Sequence, residues 1–122
     1  MDDALVERVL RVVELVPAGS VVSYGDVAAA VGTGPRQVGR IMAQWGSEVP
    51  WWRVTNAAGQ LPEALLPQAR RRWQAEGIAL LPSGRGCRIT VHRWPDEQLY
   101  RAAVAVAAEV RALSSVEAET GC

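Results

Sequence analysis

At 122 residues the chain is sized for one domain, 1–122, with a single and fairly small core. It has no apolar run long enough to cross a membrane, its acidic Met1-Asp2-Asp3 opening is unlike a signal peptide, and its two cysteines, Cys87 and Cys122, have neither disulfide-framework nor metal-ligand spacing, which excludes membrane, secreted disulfide-rich and metal-centred classes. The formal net charge is zero, but all 13 basic residues are Arg, and nine of them face three acids between residues 36 and 93, so a +6 centre lies between flanks that sum to −6.

Leu5, Val9, Val12, Val13 and Val16 recur at helical spacing and predict an amphipathic helix over residues 3–16, stopped by Pro17. "PAGS" is then a turn and "SVVSY" a short extended piece. Ser23 caps a short helix through "YGDVAAAVG", with Asp26 three residues on, and Gly32 and Gly34 end it. Pro35 suits the first position of the next helix, "PRQVGRIMAQW", in which Val38, Ile41, Met42 and Trp45 share a face. Two short helices around a Gly-rich turn make a helix-turn-helix pattern, with Arg36 and Arg40 near the start of the second.

An irregular stretch follows Gly46. "RVTNAAGQL" reads as a β-hairpin with Asn56 and Gly59 in its turn. Residues 67–76 read as a helix carrying Arg70–Arg72, with Gly77 at its C-cap. Residues 85–93 read as a strand in which Cys87, Ile89 and Val91 alternate with Arg88, Thr90 and His92. A last helix follows Pro95 with Leu99, Ala103, Val106, Val110 and Leu113 on one face, and the tail after Ser114 is expected to be disordered. The fold class expected is α+β: a small, mostly helical domain with a winged-helix-like helix-turn-helix core and a short β-hairpin.

Arg grips phosphate bidentately and stacks on bases, so the basic centre suits nucleic acid; a solvated surface in a protein that uses Arg for Lys has the same composition. More specific are three motifs in order: "SVVSYGDVAAAVG" (20–32), "RQVGRIM" (36–42) and "VPWWRV" (49–54), followed by "AEG" (75–77). Together they resemble the DNA-binding and active-site domain of the O6-alkylguanine-DNA alkyltransferases over about residues 5–80. The repair enzymes of that family carry Pro-Cys-His-Arg where this chain has Pro50-Trp51-Trp52-Arg53. Their Cys accepts the alkyl group from a flipped guanine, as a thiolate with a free, polarisable lone pair can. The indole nitrogen of Trp51 has committed its lone pair to the aromatic system, so the acceptor is missing.

The pattern is similar to the alkyltransferase-like proteins, which carry Trp at the Cys position, bind O6-alkylguanine without repairing it, and pass it to nucleotide excision repair. Trp52 departs further. It replaces the His that in the enzymes relays a proton between the Cys and a Glu on a later helix. Glu76 aligns with that Glu and is left without an imidazole. Transfer by the family mechanism is therefore excluded.

The resemblance also implies roles for residues outside that run. Tyr24 matches the Tyr that crowds the phosphate beside the flipped nucleotide. Arg36 matches the arginine finger that fills the hole left by the extruded base, while Gly39 and Ala43 let the helix backbone approach DNA and Arg40 joins the contact. The lesion pocket is expected from Pro50, Trp51, Trp52, Arg53, Val54 and Glu76. Two departures are evident. The link from Gly32 to Arg36 is about two residues shorter than in typical members, and "LPEALLP" puts Pro62, Glu63 and Ala64 where the enzymes have a Tyr-Ser/Gly-Gly stretch.

Each of these residues also has a plainer reading. Trp51 and Trp52 alone would be a packing pair, and Tyr24 an ordinary half-buried Tyr. Arg53 is expected to bridge to a carbonyl or acid, Arg70–Arg72 to form a solvated helix face, and His92 to sit on the surface. The expected function is non-catalytic recognition of O6-alkylguanine in double-stranded DNA by a cytoplasmic, nucleoid-associated monomer without cofactors, which signals to excision-repair proteins. One rival is a sequence-specific helix-turn-helix regulator. The other is an enzyme accepting the alkyl group on Cys87 with His92 as base, although five residues apart on an alternating strand the two point to opposite faces.

Overall fold

The computed structural model describes residues 2–120. Helix α1 (Asp3–Leu15) begins where the Asp2 carboxylate accepts the Ala4 amide at 2.9 Å, and buries Leu5, Val9, Val12 and Val13. A two-residue strand β1 (Val22–Ser23) leads directly into α2 (Tyr24–Val31). The reciprocal cap predicted there is complete: the Asp26 amide donates to Ser23 Oγ at 3.0 Å, and the Ser23 amide donates to Asp26 Oδ2 at 2.9 Å. Gly32 closes α2 in the left-handed conformation (φ 82°), and α3 (Pro35–Trp45) starts on Pro35 three residues later. The helix-turn-helix is therefore built from local signals at both ends of its turn.

After α3 the chain makes two short 3-10 turns, Gly46–Glu48 and Trp51–Arg53, and enters β2 (Val54–Thr55). A third turn, Glu63–Leu65, precedes α4 (Leu66–Ala75). A single helical turn α5 (Ile89–His92) and the long α6 (Asp96–Thr120) complete the order. β1 and β2 pair in parallel, Val22 with Val54 and Ser23 with Thr55. This ladder divides two apolar clusters. One joins α1, α2, α3 and α6 with Val22, Val49 and Val54; the other gathers Val21, Leu61, Leu66, Ala69, Trp73, Ile78, Cys87 and Ile89. Val21 and Val22 serve opposite clusters because successive side chains of an extended segment point to opposite sides.

The mostly helical α+β fold with a helix-turn-helix is what the sequence predicts, while three elements differ in detail. The turn at 56–60 forms, with Asn56 Oδ1 accepting the Ala58 and Gln60 amides at 3.0 and 2.8 Å. No hairpin ladder follows it: Pro62 cannot donate, Gln60 bridges to Gly86, and Val54–Thr55 pairs with β1 instead. The strand expected over 85–93 is reduced to isolated bridges and α5, where the Arg88 carbonyl accepts the Val91 amide at 3.0 Å. Without a continuous partner strand the alternation has nothing to hold it, and Val91 stands 60% exposed while Cys87 and Ile89 are buried. Finally, α6 runs to Thr120 instead of stopping at Ser114, since no Gly or Pro interrupts residues 96–120. Leu113 and Trp45, assigned to apolar faces, are 46% and 42% exposed. No helix among the described residues is long and apolar enough to cross a membrane.

Candidate nucleic-acid interface

Helix α3 presents Arg36 and Arg40, one turn apart and both exposed, on its outer face. Gly39 lies between them, half-buried, and a Cβ built there would meet nothing within 4 Å. A small, cationic helix face of this kind lets a backbone approach a polyanion closely.

Beside this face opens a cleft of about 360 Å³. Helix α3 supplies Gly39, Met42 and Ala43 to one wall, and the following turn adds Gly46 and Ser47. Trp51, Val54, Leu61, Pro62, Leu65 and Gln68 line the rest of it, together with Tyr24. No charged side chain lines it. Tyr24, the first residue of α2, is half-buried, and burial pushes its hydroxyl above the ordinary phenol range, so it stays a neutral hydrogen-bonding group at pH 7.

The Trp51–Arg53 turn divides two environments. Trp51 borders the cleft, while Trp52 turns away and donates its indole N–H to Glu76 Oε2 at 2.7 Å. The Glu76 carboxylate also accepts the Arg53 guanidinium at 2.7–3.2 Å and the Gly19 amide at 3.0 Å. Arg53 reaches the Val16 carbonyl at 2.9 Å as well, and Trp73 donates its indole N–H to the Trp52 carbonyl at 2.7 Å. The Arg72 guanidinium lies 4.6 Å above the Trp52 ring. The two adjacent indoles meet edge to face, centroids 5.7 Å apart and planes at 86°. Burial alone would push the Glu76 carboxyl up, but the donors Arg53, Gly19 and Trp52, with the Arg53 charge, outweigh it and hold the carboxyl below its usual range.

Of the six residues expected in the pocket, Trp51 and Val54 border the cleft. Pro50, Trp52, Arg53 and Glu76 do not, and the last three form the bonded scaffold behind it. Glu76 lost its imidazole partner but not its hydrogen bond, because an indole N–H donates as a ring N–H of His does and differs in having no acceptor to pass a proton on. Arg53 bridges a carbonyl and an acid, as its plain reading predicts. Met42, Ser47, Leu65 and Gln68 join the cleft without having been singled out for it. Met42 reads as core in the helical period, and the other three come from turns or from the start of α4, where periodicity gives no signal.

Cys87 is buried in the second cluster, outside the cleft, and burial pushes its thiol up to about 11. At neutral pH almost none of it is thiolate. His92 is half-buried rather than on the surface, and its Nε2 accepts the Ala79 amide at 3.0 Å. The proposed base is therefore committed to the backbone. Among the described residues no group of three or more His, Cys, Asp or Glu could hold a metal ion.

Residues 4–78 match the profile of the family described as 6-O-methylguanine DNA methyltransferase, DNA binding domain. The chain is similar to a DNA base-flipping protein of Escherichia coli strain K12, 37% identical over 89 residues that make up 68% of this chain and 69% of the relative. A DNA base-flipping protein of Vibrio parahaemolyticus is 33% identical over 91 residues, 70% of this chain and 90% of that one. Among solved structures, S. pombe Atl1 in complex with damaged DNA containing O6-carboxymethylguanine matches with a TM-score of 0.68 at 27% identity, over 78% of this chain and 98% of the other. A second structure, S. pombe ATL in complex with DNA, gives 0.65 at 28% identity over the same shares.

Proposed function

Since the chain belongs to the family of the 6-O-methylguanine DNA methyltransferase DNA-binding domain, in its alkyltransferase-like form, we propose that it binds O6-alkylguanine in duplex DNA, flips the damaged nucleotide into the Trp51 cleft and leaves it unaltered. One observation carries this reading: the residue at the position of the acceptor Cys is an indole that forms a wall of an uncharged, largely apolar cleft beside the cationic face of α3.

The parts act in sequence. Arg36 enters the minor groove from the start of α3, and its planar cation stacks into the space the base leaves, offsetting part of an unstacking cost of a few kcal/mol. Arg40 holds a flanking phosphate. Tyr24, neutral and lining the cleft, crowds the phosphate of the extruded nucleotide and favours its rotation outward. Inside, base–aromatic stacking on Trp51 contributes about 1–3 kcal/mol. An apolar adduct gains about 0.8 kcal/mol per buried CH₂ against Met42, Leu61 and Leu65. The Trp52–Glu76–Arg53 scaffold keeps the Trp51–Arg53 turn in place without touching the lesion. No step breaks the O6–alkyl bond, so the product is a stable, bent complex of one protein molecule with its site, which excision-repair proteins take over. Relatives named for base flipping and a structural neighbour bound to O6-carboxymethylguanine DNA support this reading.

The deciding measurement compares two duplexes that differ only in O6-methylation of one guanine, followed by mass spectrometry of the protein. Tighter binding to the methylated duplex with an unchanged protein mass is expected. Equal affinities would end the lesion reading and favour a sequence-specific regulator, and a protein heavier by one methyl group would restore an enzyme.

A further inference from the structure

Another depression, of about 590 Å³, lies between α1, the C-terminal end of α3 and α6. Its floor is apolar, with Leu10, Val49 and Val106, and its rim carries Leu15, 50% exposed, and Trp45, 42% exposed. Trp45 is half a turn out of phase with Arg36: nine residues are about two and a half turns of α-helix. It therefore continues the Val38–Ile41 side of α3, directly away from the face that presents Arg36 and Arg40 to DNA. Here the two exposed apolar side chains adjoin an apolar floor and are rimmed by charged residues, the pattern of an interaction site rather than of a singly exposed apolar residue.

The charge of the groove states what kind of contact. Glu7, Glu14, Glu48 and Glu109 line it against a single cation, Arg11. That cation is already shared between Glu7 at 2.7 Å and Glu109 at 3.3 Å. Among the described residues neither Glu14 nor Glu48 has an ion-pair partner. DNA is repelled by such a surface. α1 and α6, from the two acidic flanks, pack against each other and bring Glu7, Glu14 and Glu109 to this groove. Val106 and Glu109 come from α6, beyond residues 4–78 that match the family profile.

We infer that this groove docks a basic, amphipathic helix of a partner protein, with Trp45 and Leu15 as apolar anchors and Glu14 and Glu48 as the free counter-charges. A helix suits an elongated groove between helices, read by apolar residues three and four apart with Lys or Arg flanking them. Placement opposite Arg36 lets the partner bind while DNA is held. The inference does not depend on which DNA is recognised.

The probe is a displayed library of random peptides about four helical turns long, panned on the full-length protein. Recovered peptides are then titrated against the wild type, Trp45→Ala and the double variant Glu14→Arg/Glu48→Arg. These positions are exposed, and circular dichroism checks that both variants keep the wild-type fold. Expected are peptides with net positive charge and helical apolar spacing, bound at least about tenfold more weakly by each variant, with binding to O6-methylguanine duplex unchanged and the peptide not displaced by it. Recovery of peptides without a basic excess, equal affinity for wild type and both variants, or displacement by DNA would overturn the proposal. A concentration-dependent dimer that dissolves in Trp45→Ala would overturn it too, by giving the groove to a second copy of the chain. If the peptide results hold while the methylated and unmodified duplexes bind equally, the docking surface stands and the lesion reading falls.

Discussion

In a 3-10 turn consecutive side chains leave the backbone about 120° apart, and Trp51 and Trp52 use that divergence to serve different ends. Trp51 borders the cleft; Trp52 fills the place a proton-relaying His would take and keeps only its donor function toward Glu76. Removing the carboxylate leaves the Trp52 N–H and the Gly19 N–H without an acceptor and the Arg53 cation without its counter-charge, held only by the Val16 carbonyl. Glu76→Ala is therefore expected to cost about 3 kcal/mol, read from urea unfolding, whereas Trp52→His, which restores a donor of similar reach, costs less. A Glu76→Ala protein as stable as the wild type would show that the scaffold holds nothing. The same carboxyl sets a pH dependence. Its folded pKa is depressed, so its contribution is present above the unfolded value and is lost as pH falls through the folded one. Wild-type stability should fall on acidification below about pH 4.5, and Glu76→Gln should flatten that part of the curve; parallel curves would assign the loss to other groups. At the DNA face, Arg36→Ala is expected to weaken lesion binding much more than Arg72→Ala, because Arg72 is engaged over the Trp52 ring. Comparable losses would mean that Arg36 is not the finger.

Among the elements, those framed by local chemistry are readable from the sequence and those framed by distant partners are not. Ser23 and Asp26 close a cap within one turn of backbone, and Gly32 and Pro35 set the link between α2 and α3, so the helix-turn-helix follows from four residues close in sequence. The region 85–93 has equally clear alternation, yet its course is decided by single bridges to Gln60 and Val21, which lie far away along the chain, and to Leu80 just before it. The two glycines with positive φ at 32 and 59 illustrate the difference in energy. A Cβ at Gly32 meets nothing within 4 Å, so Gly32→Ala carries the left-handed penalty of about 1–2 kcal/mol alone. At Gly59 the added Cβ runs into the Cys87 carbonyl as well. Gly59→Ala should therefore lower the thermal midpoint well beyond Gly32→Ala, and equal midpoints would show that the 56–60 turn yields without disturbing the second cluster.

For the molecule as a whole, zero net charge conceals a division into a basic centre and acidic flanks. Counterion release makes each phosphate contact worth about −0.9 in the slope of log affinity against log salt concentration. Arg40→Ala should reduce the magnitude of that slope by about this amount, while Glu14→Arg/Glu48→Arg, which removes no phosphate contact, should leave it unchanged. A shift in both would mean that the two faces are not separate. The sequence by itself determined the family, the helix-turn-helix and an indole in place of a thiol at residue 51, because each rests on residue chemistry or on caps and turns a few residues long. Only the tertiary structure decided that Trp52 braces Glu76 instead of lining the cleft, that Cys87 is buried while His92 Nε2 is taken by a backbone amide, and that α1 and α6 bring Glu7, Glu14 and Glu109 together beside Trp45. Those outcomes depend on which distant segments share a neighbour, and contact between residues far apart in the chain leaves no period or spacing to read.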